Sequence, residues 1–212
     1  MEEGGRRGRK IYSGGILMEE IKEKKRAIRE DINKKLLSFK DGDLEEKNRL
    51  IETQLFGFAN FIESKIPLLY INGENEVKTW NIIKLCYDHG KMVILPIFGK
   101  DKYKLKLLKV DNPDTDLKTG HGGILEPDAG KCKEVPIECI DIAIIPSIAM
   151  DEKGGRIGSA DGHYDRLIPQ LPITARKVAL AMECQVIPHV PMESHDRHVD
   201  IVVTEERIIY KI

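Results

Sequence analysis

Apolar residues recur at helical spacing in three stretches of the first half of the chain. Residues 18–38 carry a narrow apolar stripe between charged residues, which predicts a surface helix. A second helix, capped by Asp43, has a wider apolar face and is expected to stop before Pro67. Residues 79–89 form the third pattern, which ends at Gly90.

Short runs rich in Ile, Leu and Val separate and follow those helices. The predicted strands cover residues 66–71, 91–96, 102–110, 140–146, 177–182 and 200–205. One further helix is expected to run through about Ile168. Helices that alternate with strands are typical of an α/β protein with a mostly parallel sheet. Residues 111–136, rich in Gly, Pro and Asp, are expected to form a long loop.

The size and composition of the chain fit one folded domain. A chain of 212 residues with 41% apolar residues can bury one sizeable core, so we expect residues 18–212 to form a single α/β domain. Residues 1–17 are polar and glycine-rich, and we expect this tail to be disordered. Because the helical pattern opens at Met18, one hypothesis is that translation starts there rather than at Met1.

Net charge gives no support for a general nucleic-acid or membrane binder, since Lys and Arg number 34 against 35 Asp and Glu. Residues 1–40 are locally basic, with 12 Lys or Arg and 7 Asp or Glu. Such a helix either contacts phosphate or is simply a solvated face.

The cysteines indicate a cytoplasmic protein with reduced thiols. Their positions, without any C-x-x-C spacing, are Cys86, Cys132, Cys139 and Cys184. The sequence contains neither a secretory signal nor an apolar run near the roughly 20 residues that span a bilayer. We expect small-molecule partners, no nucleic acid, no membrane, and a monomer or small homo-oligomer.

A glycine-rich segment follows the predicted strand at 140–146. It reads GGRIGSADGHYDRLIP over residues 154–169. Glycines let backbone N–H groups approach a ligand closely, and a helix N-terminus favours phosphate, so this order of elements indicates an anion site. An ordinary turn is the alternative, because most glycine-rich turns bind nothing.

Three polar segments each follow a predicted strand. They cover residues 72–77, 147–162 and 183–196. In open parallel sheets the ligand crevice lies beyond the carboxyl ends of the strands. We therefore expect these segments to form one composite site.

Charged residues in and near these segments are suited to phosphate and metal chemistry. Lys25 and Arg29 share a helix face at i, i+4 and would grip a polyphosphate together, although solvation alone also explains them. Asp165 and Asp196 offer the hard oxygen donors that Mg²⁺ prefers, or they serve as caps or ion-pair partners. Glu76 would accept N–H groups of a heterocycle, or it merely starts a helix.

Aromatic and imidazole side chains are less informative. Tyr164 would stack on a base or a pterin ring, or pack in the core. The histidines of the second half lack the spacing of a zinc site, which makes zinc a poor hypothesis. They are His163, His189, His195 and His198.

Six motifs occur in an order that resembles one enzyme family. They are K-x-x-[IL]-R at Lys25–Arg29, E-V-x-T at Glu76–Thr79, L-P at Leu95–Pro96, G-I-x-E-P at Gly123–Pro127, R-[IL]-G-x-x-x-G-x-Y-D-R at Arg156–Arg166, and H-D-x-x-x-D-x-[IV]-V-T-E at His195–Glu205. This set is similar to the 5-formyltetrahydrofolate cyclo-ligase (methenyltetrahydrofolate synthetase) family. The similarity runs from about Met18 to Glu205.

The resemblance implies a three-layer α/β/α fold of the sugar-isomerase-like type and a reaction that uses ATP and Mg²⁺. In that reaction ATP phosphorylates the formyl oxygen of 5-formyltetrahydrofolate, and the neighbouring amine attacks the activated carbon. Loss of phosphate then gives 5,10-methenyltetrahydrofolate and ADP. Such chemistry relies mainly on positioning and charge stabilisation.

The resemblance also implies roles for individual residues. Glu76 and Arg156 would be catalytic, and Asp165 and Asp196 would bind Mg²⁺. ATP would be contacted by Lys25, Arg29, Arg156, Gly158, Ser159, Ala160, Asp161, Gly162, His163 and Tyr164. The folate would be contacted by Arg29, Ile71, Glu76 and His163.

The glycine segment departs from the family pattern at its centre. Family members usually read G-x-G-x-G-[YF]-Y-D, whereas this chain has Ala160 for the middle glycine, Asp161 where lysine or glycine is common, and His163 for an aromatic residue. A carboxylate about 4 Å from a phosphate charge would repel it by roughly 4 kcal/mol at an effective dielectric of 20. Bound Mg²⁺ or an outward-turned side chain would remove that penalty.

Two alternatives to the cyclo-ligase therefore stay open on the sequence. One is a divergent relative that activates another formamide or carboxamide with ATP. The other is a non-catalytic module that binds a nucleotide or a folate. Fold alone does not choose among the three.

Replacement of Asp161 tests the repulsion. We expect Asp161→Gly to bind ATP about 10-fold more tightly by calorimetry, a gain of about 1.4 kcal/mol, because solvent screens part of the penalty. Asp161→Asn keeps a side chain of the same size and should reproduce the gain. Unaltered ATP affinity in both variants would show that the carboxylate does not face the phosphates.

Overall fold

The computed structural model describes residues 10–40, 42–99, 105–120, 123–159 and 162–211, with side chains from residue 18 onward. Its helices are α1 (Lys10–Leu37), α2 (Asp43–Gly57), α3 (Ala59–Glu63), α4 (Trp80–Asp88), α5 (Pro113–Asp116) and α6 (His163–Leu167). Its strands are β1 (Pro67–Leu68), β2 (Ile94–Phe98), β3 (Leu105–Lys109), β4 (Leu117–Thr119), β5 (Leu125–Pro127), β6 (Lys133–Glu134), β7 (Ile142–Ile145), β8 (Ala149–Met150), β9 (Arg156–Ile157), β10 (Arg176–Leu180), β11 (Ile201–Val203) and β12 (Ile208–Tyr210). Short 3₁₀ turns cover Ile137–Cys139, Ile168–Gln170 and Glu183–Gln185.

Within the described ranges, eight strands form one sheet in the order β12-β11-β10-β7-β1-β2-β3-β6. The central strands β11, β10, β7, β1 and β2 are parallel. Antiparallel pairs flank them on both sides through β12, β3 and β6. The predicted α/β class with a mostly parallel sheet is confirmed.

The central strands are buried on both faces, and this explains why they occur as unbroken apolar runs. In β7, Ile142 and Ile144 face a core that is shared with α1 to α4. Ala143 and Ile145 face the opposite core, together with Leu167 of α6. The result is three layers, with most of the helical surface on one side of the sheet.

The first helix begins at Lys10, eight residues before the predicted start at Met18. An existing helix extends without a new nucleation step, and no proline interrupts residues 10–17, so the glycines there do not end it. Residues 1–9, the rest of the tail expected to be disordered, lie outside the described residues.

The predicted second helix is two helices, because the backbone of Phe58 is extended between α2 and α3. Asp43 is also not the N-cap. Gly42 occupies that position, and the Asp43 carboxylate accepts from the backbone N–H of Lys40 at 3.2 Å. The wrong prediction came from composition, since Asp is common both at the cap and in the first turn.

The long loop predicted for residues 111–136 contains short regular elements. They are α5, the β4–β5 hairpin and the edge strand β6. Asn112 caps α5 by accepting from the backbone N–H of Asp114 at 3.0 Å. These elements are too short to leave a periodic pattern, and the predictions also missed β12, which pairs with β11 at the sheet edge.

All four cysteines lie in the described ranges and are free thiols. Among the helices of those ranges, none combines the length and the apolar character that crossing a bilayer requires.

Candidate active site

Two cavities lie next to each other where the central strands end. The first, of about 370 Å³, is lined by Lys22, Lys25, Arg29, Pro146, Arg156, Ile157, Gly158, Ser159, Gly162, His163, Tyr164, Asp165, Glu193, His195 and Asp196. The second, of about 650 Å³, includes Tyr70, Ile71, Glu76, Leu95, Pro96, Phe98, Ile124 and Pro127 in its lining. Pro146, Ser159, His163 and Tyr164 line both, so the polar cavity and the larger cavity share a wall.

The buried carboxylate of Asp151 joins two loops that shape the polar cavity. One oxygen accepts from the backbone N–H groups of Lys153 at 3.0 Å and Gly155 at 2.8 Å. The other accepts from the N–H of Val190 at 2.9 Å. These bonds bring the segment with Arg156 against the segment that leads to Asp196.

Gly154 packs closely against the chain that follows Asp196. Its φ is +80°, and a Cβ there would lie 2.3 Å from the carbonyl oxygen of Val199. The N–H of Val199 donates to the Gly154 carbonyl at 2.9 Å. This glycine therefore serves close packing rather than a direct phosphate contact.

Gln185 ties three strand-end loops together from a fully buried position. Its amide nitrogen donates to the carbonyls of Asn75 and Ile148, both at 2.9 Å. Its amide oxygen accepts from the N–H of Met182 at 2.7 Å. Asn75 has a positive φ of 62° and precedes Glu76, so Gln185 holds the turn that places Glu76.

Arg156 and Arg29 provide positive charge in the polar cavity. Arg156 is buried, and its Nη2 donates to Asp165 Oδ1 at 2.7 Å. Burial lowers the pKa of Arg156, whereas Asp165 raises it; a guanidinium stays protonated in either case. Arg29 Nε donates to the Gly158 carbonyl at 2.9 Å, so α1 is fastened to the glycine segment.

The ammonium of Lys25 lies between two carboxylates. Its distances are 3.0 Å to Glu193 Oε2 and 2.5 Å to Asp196 Oδ2. Asp196 Oδ2 also accepts from the backbone N–H of Glu193, and His195 Nε2 lies 3.6 Å from Asp196 Oδ1. Lys25 and Arg29 thus line the same cavity, as expected for two residues on one helix face.

The predicted contribution of a helix N-terminus to anion binding is weak. α6 has only five residues, so it carries little of the macrodipole of a longer helix. The positive charges that line the polar cavity belong instead to the side chains of Lys22, Lys25, Arg29 and Arg156.

Glu76, Tyr70 and Tyr164 line the larger cavity. Burial raises the pKa of Glu76, and a hydrogen bond from the Gly73 N–H at 2.9 Å opposes that shift. Burial also raises the pKa values of Tyr70 and Tyr164, with a smaller contribution from Glu76. Both hydroxyls therefore keep their protons at neutral pH.

Aromatic rings form part of the wall between the cavities. Phe98 stacks on His163 with ring centroids 4.4 Å apart and an interplanar angle of 6°. Tyr164 contacts the edge of Phe98 at 5.3 Å. A planar ligand in the larger cavity would meet this aromatic surface.

The structure brings most of the predicted site residues together. Ile71 and Glu76 line the larger cavity, whereas Arg29, assigned to both ligands by the resemblance, lines the polar one. Ala160 and Asp161 lie outside the described residues, so their assigned contacts stay predictions. Phe98, Gln185 and Glu193 were not among the predicted site residues. Gln185 and Glu193 lie within the polar segment 183–196, where Asp196 was the predicted ligand.

The donor set of the polar cavity fits Mg²⁺. Asp165, Glu193 and Asp196 supply carboxylate oxygens, and Glu193 Oε1 is buried without a hydrogen-bond partner among the described residues. Ligand atoms of Glu193, His195 and Asp196 lie within 4.8 Å of one another. Mg²⁺ is usually held by one or two carboxylates together with substrate phosphates, and this cavity supplies the carboxylates.

Fold and cavities together define a class: an α/β protein with a polar cavity that carries cationic and carboxylate side chains, beside a larger cavity with an aromatic wall. The sequence model of the 5-formyltetrahydrofolate cyclo-ligase family matches residues 21–205. The chain therefore belongs to the 5-formyltetrahydrofolate cyclo-ligase family. The predicted family resemblance is confirmed.

Individual relatives agree with this assignment. The chain is 23% identical to 5-formyltetrahydrofolate cyclo-ligase of Mus musculus over 86% of its own length and 94% of the mouse chain. A probable cyclo-ligase of Schizosaccharomyces pombe is 27% identical, with 89% of this chain and 98% of the yeast chain covered.

A solved structure shares the fold. It is the 5,10-methenyltetrahydrofolate synthetase of Aquifex aeolicus, with a TM-score of 0.74, 28% identity, and coverage of 88% of this chain and 92% of that one. The three-layer fold implied by the resemblance is thereby confirmed.

Replacement of Gln185 tests its role as the tie between loops. Gln185→Met has a similar volume but leaves one N–H and two carbonyls without partners. We expect a loss of about 1–3 kcal/mol in the free energy of unfolding, measured in urea. We also expect a raised KM for the ligand of the larger cavity and unchanged nucleotide affinity.

Gln170→Met is the matched control. Gln170 is exposed, and among the described residues its amide donates to the nearby Arg166 carbonyl, so its loss should change stability by no more than about 0.5 kcal/mol. Equal effects of the two substitutions would contradict the assignment of Gln185.

Proposed function

We propose that this protein catalyses the ATP- and Mg²⁺-dependent cyclisation of 5-formyltetrahydrofolate to 5,10-methenyltetrahydrofolate, with release of ADP and phosphate. The observation that carries the proposal is the shared wall of the two cavities. A triphosphate in the polar cavity and a pterin in the larger cavity would meet at Ser159, His163 and Tyr164. This is the arrangement that phosphoryl transfer to a formyl oxygen requires.

The polar cavity supports nucleotide binding through charge and preorganisation. Arg156 is held in place by Asp165, and its Nε has no partner among the described residues. A buried donor of this kind favours an anion. Arg29 and Lys25 add positive charge from α1, so residues from distant parts of the chain would contact the phosphates.

The larger cavity supports a reduced pterin. Glu76 would accept hydrogen bonds from ring N–H groups. Its pKa is raised because burial removes water from the carboxylate, and such a ligand would supply hydrogen bonds in place of that water. Phe98 and Tyr164 offer ring surfaces for stacking. Ile71 adds apolar contact near the strand end.

Asp165 and Asp196 would hold Mg²⁺ with the phosphates. When bound, the ion would neutralise charge on the phosphoryl group during transfer. Arg156 would contact the triphosphate and at the same time keep the Asp165 carboxylate oriented. The protein's further task is to align the formyl oxygen with the γ-phosphate and to exclude water.

A spectrophotometric assay tests the proposal. Purified protein with 5-formyltetrahydrofolate, ATP and Mg²⁺ should form the absorbing methenyl product, and omission of any one of the three should abolish it. Tight ATP binding without product would instead support the non-catalytic module. ATP turnover with another formamide or carboxamide, but not with 5-formyltetrahydrofolate, would support the divergent relative.

The expected setting of this activity remains a proposal as well. A cytoplasmic monomer or small homo-oligomer without nucleic-acid partners fits the balanced charge and the free thiols. Light scattering and cell fractionation would test it.

Replacement of Glu76 separates folate binding from ATP binding. We expect Glu76→Ala to lower kcat/KM for 5-formyltetrahydrofolate by roughly 100-fold or more, the scale of losing one positioned catalytic group. ATP affinity should be retained, because Glu76 does not line the polar cavity.

Glu63→Ala, on the exposed side of α3, is the control and should keep wild-type turnover. Full turnover by Glu76→Ala would remove Glu76 from the site.

A further inference from the structure

Lys25, Glu193 and Asp196 form a cluster that carries one positive and two negative charges. Their side chains are only 10%, 8% and 8% exposed. The ammonium contacts one oxygen of each carboxylate. His195, the nearest imidazole to both acids, is 61% exposed and lies at least 3.6 Å away. Among these three side chains the two carboxylates therefore outnumber the one ammonium, although the charges of Arg29 and Arg156 also act on Asp196.

One carboxylate oxygen of this cluster has no partner among the described residues. Glu193 Oε1 is buried and has no hydrogen-bond partner among the described residues. A buried carboxylate oxygen without a partner is costly, so it favours a cation. The same carboxylate lines the polar cavity, where its other neighbours include Arg29 and Arg156.

A bound triphosphate would compete for Lys25. The lysine stem is flexible, and phosphate oxygens would offer its ammonium a denser negative charge than two single carboxylates. If Lys25 turned to the phosphates, Glu193 and Asp196 would face the cavity as two uncompensated negative charges. A divalent cation would then bind between them and the phosphates.

We propose that Glu193, with Asp196, is a cation-binding carboxylate that Lys25 blocks in the free protein and releases when a nucleoside triphosphate binds. This rests on the proposed function, because it needs a triphosphate in the polar cavity. Nucleotide and cation then bind interdependently, and each raises the affinity of the other by the same factor. Lys25 acts as an internal counter-ion that stands in for the metal.

Mn²⁺ binding without nucleotide tests the block. Electron paramagnetic resonance counts free Mn²⁺, which accepts the oxygen ligands that suit Mg²⁺. We expect Lys25→Met to bind Mn²⁺ at least 10-fold more tightly than the wild type, because both carboxylates lose their ammonium. The double variant Lys25→Met/Glu193→Gln should lose most of that gain.

Lys22→Met is the matched control. Lys22 lines the same cavity, but its ion pair among the described residues is an exposed one with Glu19 at 3.9 Å. Its Mn²⁺ affinity should equal that of the wild type. Circular dichroism and thermal unfolding establish that each variant is folded.

A second measurement does not depend on the folding of Lys25→Met. Calorimetry with a non-hydrolysable ATP analogue, with and without Mn²⁺, gives the coupling factor, which Glu193→Gln should reduce at least fivefold. The inference is overturned by a folded Lys25→Met without tighter Mn²⁺ binding, by a gain that survives Glu193→Gln, or by an unreduced coupling factor. Failure of the wild type to form the methenyl product, with these shifts intact, would overturn only the cyclo-ligase function.

Discussion

The carboxylate of Asp151 and the carboxamide of Gln185 are buried polar groups, and each makes hydrogen bonds within its own loop and to a separate loop. Parallel strands bring loops to one edge of the sheet, but apolar packing alone does not fix how such loops meet. A buried polar group is stable only when its partners are in place. Both groups therefore select a single loop arrangement, and that arrangement places Glu76, Arg156 and Asp196 around the shared wall.

Several charged side chains of the polar cavity are paired with one another before any ligand enters. Lys25 is paired with Glu193 and Asp196, and Arg156 with Asp165. These pairs hold the charged groups in place, so little reorganisation is needed when a ligand binds. The carboxylates of these pairs also compete with an incoming anion for the same lysine and arginine side chains. An anion that takes over such a side chain must therefore bring a cation for the carboxylate that it displaces. Orientation and competition are two effects of one set of contacts.

The sheet and the common site were predictable from the sequence because their signals are local. Runs such as residues 140–146 are apolar throughout only when both faces of a strand are buried. Polar segments after three such runs share one sheet edge, and the cavities lie there. The role of Gln185 was not predictable, because the residues next to it in the sequence do not distinguish a buried amide that joins loops from an exposed one. The short β12 and the β4–β5 hairpin owe their pairing to tertiary contacts that leave no periodic pattern.

The glycine segment shows where a motif stops being evidence for chemistry. Gly154 and Gly155 are required by close contacts with Val199 and Asp151, which concern packing. Only the later part of the segment, from Arg156 to Asp165, lines the polar cavity. Of the departures from the family pattern, His163 lies in the wall that the two cavities share, whereas Ala160 and Asp161 lie outside the described residues. A change of substrate preference in this chain would therefore originate at the wall between the cavities.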